Sequence, residues 1–490
     1  MRIRGRLKKM KLSELIKGLE IVAVSGDTGA EIRDVTADSN SVTRGSLFIC
    51  LNGRARDGHG YIRQAEHYGA AAVITERKTD TVLTQVVVKN TRRAMSVIAA
   101  NFYGHADKKM RLIGITGTNG KTTTAHFLTS VLTHAGVNCG LIGTLGTFYK
   151  DKYIEPTLTT PDPLVFHRTL AEMYESGVEA VITEVSAHAL FLDKLYGVKF
   201  DTAVFTNFSQ DHLDFFGDME SYGKAKTKFF TENEYKYAVI NSDDELGRKI
   251  ASVAKNPITY GTDNPADVFA IDVTENSDGQ SFVINLFDCI YEVSVNMIGR
   301  FNVYNALAAA TAAALYGIKP EMVADGLNGL KGVDGRLEKV YSGAFDVYVD
   351  YAHTPDGLKN ALAALRKTCK NRLICVFGCG GNRDVKKRAL MGELSGELAD
   401  FTVITSDNPR FEEPMDIIWE IERGVLKKSK SYVIVQDRRE GIEYAVKAAV
   451  CGDVILVAGK GNEKYQEVFG IKRPYNDKDT IGEIISGCKE

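Results

Sequence analysis

The run Thr116-Gly117-Thr118-Asn119-Gly120-Lys121-Thr122-Thr123 stands between an apolar segment and an amphipathic one. Glycines at a strand-to-helix junction let backbone N–H groups converge on phosphate, and the helix N-terminus adds positive potential. Lys121 would reach the β- and γ-phosphates, and Thr122 would ligate Mg²⁺. The strict phosphate-loop spacing asks for glycine at 115, where Ile115 stands; the nearby glycines are Gly114 and Gly117. Such a loop implies a nucleoside triphosphate and leaves the second substrate open. Two polar clusters come later, each directly after an apolar run: Thr183-Glu184-Val185-Ser186-Ala187-His188 and Thr206-Asn207-Phe208-Ser209-Gln210-Asp211-His212-Leu213-Asp214. Ligands of open α/β sheets bind at strand C-termini, so Glu184 and His212 are candidates for one phosphate-bound metal. Three further clusters also succeed apolar runs: Cys379-Gly380-Gly381-Asn382-Arg383-Asp384, Ser406-Asp407-Asn408-Pro409-Arg410 and Gly459-Lys460-Gly461-Asn462-Glu463. Together they suggest one amino-acid pocket, although Asn408-Pro409 alone is also a good turn start.

Those residues need elements to hold them. The chain has 490 residues, 44% apolar and 25% charged, which is globular composition with length for roughly three domains. Its formal net charge is -2, so nucleic acid is not an expected partner. Apolar runs at 47–51, 71–75 and 85–89, with a helix over 91–103, predict a small α/β domain spanning 1–107. Runs at 111–116, 180–183, 202–205 and 237–240 alternate with helical segments and predict a parallel sheet. With a β insertion over 267–297 and an Ala-rich helix over 305–316, they make a central domain, 108–334. Runs at 345–350, 372–377, 401–404, 432–435 and 453–457 predict a third, Rossmann-like domain, 335–490. The fold class is therefore α/β in three domains.

No apolar run approaches the roughly 20 residues of a membrane helix. Residues 1–11 are basic, but charges interrupt the next segment, so no signal sequence is expected; Ser13 would instead cap an amphipathic helix. Met10 is an alternative start to Met1. The eight cysteines are scattered without metal-ligand spacing, which suits reduced thiols in the cytoplasm.

Taken together, the Gly-Thr-Asn-Gly-Lys-Thr-Thr loop, Glu184-Val-Ser-x-His188 and Asp211-His-Leu-Asp214 resemble the Mur ligase family of ATP-dependent amide-bond ligases. The resemblance runs through essentially the whole chain. It includes Thr36-Ala-Asp38-Ser39, Gly45-Ser-Leu-Phe48, Thr159-Thr160-Pro161-Asp162, Tyr222-x-x-Ala225-Lys226, Gly299-Arg-Phe-Asn302-Val-Tyr-Asn305, Gly335-Arg336-Leu-Glu338 and Asp350-Tyr351-Ala-His353-Thr-Pro-Asp356. It is strongest to the branch that adds the third peptide residue.

The resemblance implies an ATP site built from Gly117, Thr118, Asn119, Gly120, Lys121, Thr122, Thr123 and Asn305. Arg336 would neutralise γ-phosphate charge, with Asp350 and His353 near adenosine. These three lie past the second boundary, so the third domain is expected to swing over ATP. Lys226 would carry CO₂ as a carbamate, converting a cation into an anionic Mg²⁺ ligand. Taken alone, Lys226 between Lys224 and Lys228 reads as a surface helix lysine. Thr122 and Glu184 would hold one Mg²⁺, and His212 with the Lys226 carbamate a second. Ser39 would meet uridine, and Thr159, Thr160, Ser186 and Lys194 the dipeptide-bearing part of UDP-MurNAc-L-Ala-D-Glu.

The acceptor implied by Asp407-Asn408-Pro409-Arg410 is meso-diaminopimelate, because lysine-adding relatives tend to lack this arginine. Arg410 would fork to the distal carboxylate with Asn408 as a further donor, Arg383 would take the other carboxylate, and Glu463 the distal ammonium. Asp407 and Gly459 complete this set. Three positions depart from the family pattern: Ala187 for a serine, Lys194 for an arginine and Asn462 for a histidine. The expected reaction activates the D-glutamyl side chain as an acyl phosphate, which the amine of the acceptor attacks, in a cytoplasmic monomer. Lysine-adding or other diamino-acid-adding ligases remain alternatives, as does folylpolyglutamate synthetase. A switch or motor would turn over ATP without an amino acid. A non-catalytic module is disfavoured by Lys121, Thr122, Glu184 and His212 occurring together.

Overall fold

The computed structural model describes residues 9–53, 56–276 and 278–487, so most of the basic leader lies outside it. The chain packs as two compact units. The first takes the chain up to Gly114, Asn138–Ala203 and Lys228–Lys236; the second takes Ile115–Val137, Val204–Thr227 and everything from Tyr237 onward.

In the first unit a five-stranded sheet has the order Ile21–Ser25, Thr84–Val88, Ala72–Thr75, Ser46–Ile49, Asp34–Thr36. All its neighbours are parallel except the first pair. Leu47, Ile49, Ile74 and Val86 alternate inward and pack on the helix Thr91–Phe102 through Met95 and Ile98. Asn90 caps that helix, its side chain accepting from the N–H groups of Arg92 and Arg93. Ser13 does not cap the first helix. That helix is Leu12–Leu15 without a side-chain cap, and the Ser13 N–H is bonded to the Thr28 carbonyl at 2.9 Å. Burial of Leu12 and Leu15 sets its start. The same unit carries the strand Ala180–Glu184, parallel to Cys139–Gly143, which then pairs antiparallel with Gly146–Tyr149.

The strands Arg111–Thr116 and Lys199–Phe205 begin in the first unit and end in the second. There the Thr206 N–H donates to the Thr116 carbonyl at 2.9 Å. Glu234–Asn241, Pro257–Gly261 and Val268–Glu275 continue in parallel. Gln280–Leu286 and Cys289–Val295 close the run as an antiparallel meander, the β insertion expected from sequence. The buried Ala-rich helix Phe301–Tyr316 touches the helix Lys121–His134, where the Thr124 hydroxyl donates to Asn305.

A six-stranded sheet ends the second unit: Glu338–Ser342, Asp346–Asp350, Val454–Ala458, Leu373–Phe377, Phe401–Ile404, Tyr432–Ile434. Only the first pair is antiparallel. Both faces are apolar, Tyr348, Cys375, Phe377 and Leu456 on one and Val347, Val349, Val376 and Val457 on the other, as a sheet covered on two sides requires. The parallel strands all present their C-terminal ends to the same edge. A hairpin, Tyr465–Val468 with Ile471–Pro474, comes after the last of them and was not expected from sequence. Among the described residues no disulfide forms, and no helix is long and apolar enough to cross a membrane.

Candidate active site

Gly117 and Gly120 give the glycine loop its shape. Gly120 has φ +83° at the N-terminus of the helix Lys121–His134, and a Cβ there would lie 2.3 Å from Asn305 Oδ1. Thr206 and Asn207, at the end of the neighbouring strand, clamp the loop. The Asn119 N–H donates to Asn207 Oδ1 at 2.9 Å, and the Asn119 carbonyl accepts from the Thr206 hydroxyl at 2.6 Å and from Asn207 Nδ2 at 3.0 Å. Lys121 folds back, its ammonium donating to the Gly117 and Thr118 carbonyls, both at 2.9 Å. Asn305 packs against Gly120 and Thr124, so in this structure it braces the loop.

Gly120→Ala should therefore weaken nucleotide binding by tenfold or more, since a left-handed backbone costs an L-residue about 1–2 kcal/mol before any clash is counted. Calorimetric titration with ADP would read this. Wild-type affinity in a folded variant would show that the loop does not need glycine there.

Of the ATP-site candidates from the later segment, Arg336 reaches this loop. Arg336 donates to the Thr122 hydroxyl at 3.2 Å, and its guanidinium lies 4.5 Å from the Tyr351 ring centroid. Asp350 positions it: its carboxylate accepts from the N–H groups of Leu337 at 2.6 Å and Ala352 at 2.8 Å. Burial raises the Asp350 carboxyl, with the Arg336 charge opposing. Asp350 is thus committed to its own backbone, and it organises the segment bearing Arg336 and His353. Asn119 Nδ2 also donates to Asp356 at 3.0 Å.

Asp211 joins His353 to His212, at 3.7 Å and 3.2 Å. Burial alone would raise Asp211, but the hydrogen bond and charge of His353, helped by His212 and Lys387, hold its carboxyl well below the usual range. Asp211 was not among the site residues expected from sequence, although it stands directly before His212.

Lys226 is 1% exposed, so it is not the surface lysine that the sequence alone suggests. On the helix Met219–Thr231 it shares a buried face with Tyr222, and its nitrogen lies 4.6 Å from that ring's centroid. Among the described residues no carboxylate is within ion-pair distance of it. Burial pushes its ammonium well below the ordinary lysine value, and the Lys121 charge pushes the same way. An amine shifted this way gives up its proton more readily, and its neutral form is a nucleophile.

Glu184 and the dipeptide candidates belong to the first unit. The Glu184 carboxylate accepts from the Thr144 N–H and hydroxyl, both at 2.9 Å, and Gly143 leaves it room. The Thr144 and Thr159 hydroxyls lie 3.1 Å apart. The Thr160 hydroxyl donates to the Glu184 carbonyl at 2.8 Å and accepts from the Ser186 N–H at 2.9 Å. Ser186 caps the short helix Ala187–Phe191. Lys194 is buried, 3.4 Å from the Thr160 carbonyl and 2.9 Å from Asp162. Thr159, Thr160, Glu184, Ser186 and Lys194 thus form one cluster. Ser39 stands apart in the turn Ser39–Ser41, which Asp38 caps.

The acceptor candidates gather at the C-terminal edge of the six-stranded sheet. Asn408 Nδ2 donates to Glu463 at 2.8 Å. Arg410 donates to the Gly381 carbonyl at 2.8 Å, and Glu467 lies 3.5 Å away. A Cβ on Gly380 would meet both the Arg410 guanidinium and the Arg383 side chain, so these arginines flank one glycine. Burial would raise Asp407, yet Lys460 and Arg438 hold it low. Gln210 Nε2 donates to Asp384 at 3.2 Å, tying the His212 segment to the Arg383 segment.

Comparison with known proteins places this geometry in a family. Residues 31–103 match "Mur ligase family, catalytic domain", 115–313 match "Mur ligase middle domain", and 335–461 match "Mur ligase, glutamate ligase domain". A protein of Aquifex aeolicus named UDP-N-acetylmuramoyl-L-alanyl-D-glutamate--2,6-diaminopimelate ligase is 42% identical over 457 residues, 93% of this chain and 94% of its own length. One of Clostridium acetobutylicum with the same name, numbered 1, is 42% identical over 482 residues, 97% of this chain and 99% of its own. A solved structure of a ligase of that name superposes with a TM-score of 0.70 at 29% identity, over 99% of this chain and 100% of that one. The fold also matches a MurF ligase of Thermotoga maritima in complex with ADP, with a TM-score of 0.65 at 20% identity over 93% of this chain and 97% of that one. The chain belongs to the Mur ligase family.

Among the described residues no group of three or more His, Cys, Asp or Glu that could hold a metal forms. Mg²⁺ takes oxygen ligands. Within the second unit Thr122 offers a hydroxyl oxygen, and Lys226 would offer oxygen only as a carbamate; in the first unit Glu184 offers a carboxylate.

Proposed function

We propose that this chain is the ATP-dependent ligase that adds meso-diaminopimelate to UDP-MurNAc-L-Ala-D-Glu, a step of peptidoglycan precursor synthesis, acting in the cytoplasm as a monomer. The observation that carries the reading is the near full-length identity to ligases of that name, joined to an acceptor edge bearing Asp407, Asn408, Arg410 and Glu463. We take the chain as three working parts, 1–107, 108–334 and 335–490, for UDP-substrate, ATP and amino acid.

A carboxylate is a poor electrophile, so it must be activated. The D-glutamyl side-chain oxygen attacks the γ-phosphorus of ATP, ADP leaves, and an acyl phosphate forms. The acceptor amine attacks the acyl carbon, loses a proton and expels phosphate. Lys121 and Arg336 neutralise negative charge that builds on the transferring group. The helix N-terminus at Gly120 adds to that field. Thr122, Glu184, His212 and a Lys226 carbamate would hold two Mg²⁺ ions, which supply further charge neutralisation when bound. Thr160, Ser186 and Lys194 orient the dipeptide, and Ser39 the uridine. Lys194 keeps the charge of the family arginine, although a single ammonium lacks the fork.

The test is a coupled phosphate-release assay with ATP, the UDP-dipeptide and a panel of amino acids. Phosphate release that depends on meso-diaminopimelate and far exceeds that with lysine is expected. A preference for lysine, or release without any amino acid, would refute the assignment.

A further inference from the structure

Lys460 comes after the strand Val454–Ala458, between Gly459 and Gly461, and it is wholly buried. Its ammonium donates to Asn408 Oδ1 at 3.0 Å and to Glu463 Oε2 at 2.9 Å. The Glu467 N–H takes the other lone pair of Asn408 Oδ1, at 2.9 Å. The amide oxygen is then full, which fixes the orientation of the amide. Its NH₂ group must face the other way, and one of its hydrogens goes to Glu463 Oε2 at 2.8 Å.

Glu463 is thereby split in function. Oε2 receives two protein donors, while Oε1 has no partner among the described residues. One carboxylate oxygen and one amide hydrogen remain for a ligand. That pair matches a zwitterionic amino-acid terminus: the oxygen accepts from an ammonium, and the amide hydrogen donates to a carboxylate. Without Lys460 the Asn408 amide loses one of the two donors that oppose its flip, keeping only the Glu467 N–H. Glu463 would keep only the Asn408 donor and turn more easily, and Asp407 would lose the first of the cations that hold its carboxyl low.

We propose that Lys460 is a positioning residue of the acceptor pocket, fixing the Asn408 amide and presenting one oxygen of Glu463 to the acceptor ammonium without touching the acceptor itself. This rests on the reading of the strand-end cluster as the amino-acid site.

The experiment compares Lys460→Met and Lys460→Arg with wild type, using the acceptor that wild type prefers. Two charge-assisted hydrogen bonds are lost in Lys460→Met, so the acceptor KM should rise about tenfold to a hundredfold. The KM values for ATP and UDP-dipeptide should stay at wild type, and kcat should fall much less than the acceptor KM rises. Lys460→Arg keeps the charge but not the reach to both acceptors, and its KM should fall between the two. Combining Lys460→Met with Glu463→Gln should cost less than the product of the single effects, because both act on one carboxylate. If Lys460→Met does not fold, Lys460→Arg alone decides, with a KM raised about threefold or more expected.

An unchanged acceptor KM in the folded variants, or an equal rise in all three KM values, would overturn the proposal. A wild type that prefers an acceptor other than meso-diaminopimelate would refute the substrate assignment instead. The role of Lys460 would then stand or fall on that acceptor's KM.

Discussion

Lys226→Ala should lower kcat by about two to three orders of magnitude, the scale on which a preorganised charge at a transferring group acts. Burial is the root of this effect. Lys226 is held under Tyr222 with no carboxylate at ion-pair distance among the described residues, and burial with the nearby Lys121 charge pushes its ammonium well below the ordinary lysine value against the pull of Asp211 and Asp244. A neutral amine can attack CO₂ and lose a proton to form a carbamate. An ammonium cannot. The product would place an anion in the second unit, which also carries Lys121, Thr122 and His212.

Three results separate this from a packing role. Formate or acetate should restore part of the activity of Lys226→Ala, by filling the vacated space with a carboxylate. Lys226→Arg keeps a cation, cannot be carbamylated, and should stay inactive. Native mass measurement of wild type under bicarbonate should show the added mass of one CO₂, absent from both variants. An active, Mg²⁺-loaded wild type carrying an unmodified Lys226 would end the carbamate reading.

Lys226 also shows where sequence reading stops. Lys224, Lys226 and Lys228 look equivalent as a string. On the helix they are not: Tyr222, Ala225, Lys226 and Phe229 recur at helical spacing and make the buried face. Lys224 turns out and pairs with Glu220, and Lys228 pairs with Asp193. The periodicity was present, but a lysine at a core position is so rare that composition argues against it. The strands were easier. Each parallel strand is a short apolar run ending in polar residues, so its position and the chemistry at its end are both legible.

Contacts made across many residues were not legible in this way. Asp350 read from sequence as a ligand contact, and the structure adds that it holds the backbone of Leu337 and Ala352. Asp211 lay hidden beside His212, and its importance emerges only because His353 arrives from a later segment. Lys460 stood in plain sight in the third strand-end cluster, yet nothing in a string says that a lysine between two glycines is buried. The hairpin Tyr465–Val468 was missed because its strand is half-exposed and lacks an apolar run. It matters for the site, since it supplies Glu467 to both Asn408 and Arg410.

Arg410→Ala should cut kcat/KM for meso-diaminopimelate by roughly two to four orders of magnitude, which corresponds to the about 3–5 kcal/mol lost when one partner of a buried ion pair is removed. The side chain is mostly covered, and its direction is set on both sides. The Gly381 carbonyl takes one N–H at 2.8 Å, and Glu467 lies 3.5 Å from Nε. Gly380 is needed there, because a Cβ would come within 2.8 Å of the guanidinium. The Arg410 backbone has φ +53°, a strain that alanine and lysine share with arginine, so substitution alters the side chain and not the backbone cost. Lysine as acceptor brings no distal carboxylate, so it gains nothing from Arg410. Its kcat/KM should change little in Arg410→Ala, or improve. Arg410→Lys keeps the charge but loses the fork, and should fall between wild type and alanine for meso-diaminopimelate. ATP affinity should not move in either variant, because Arg410 belongs to the edge of the six-stranded sheet and not to the glycine loop. Both acceptors are to be measured at saturating ATP and UDP-dipeptide. If the mutation weakens the two acceptors equally, Arg410 serves the turn at Asn408-Pro409 alone, and the distal carboxylate is recognised elsewhere.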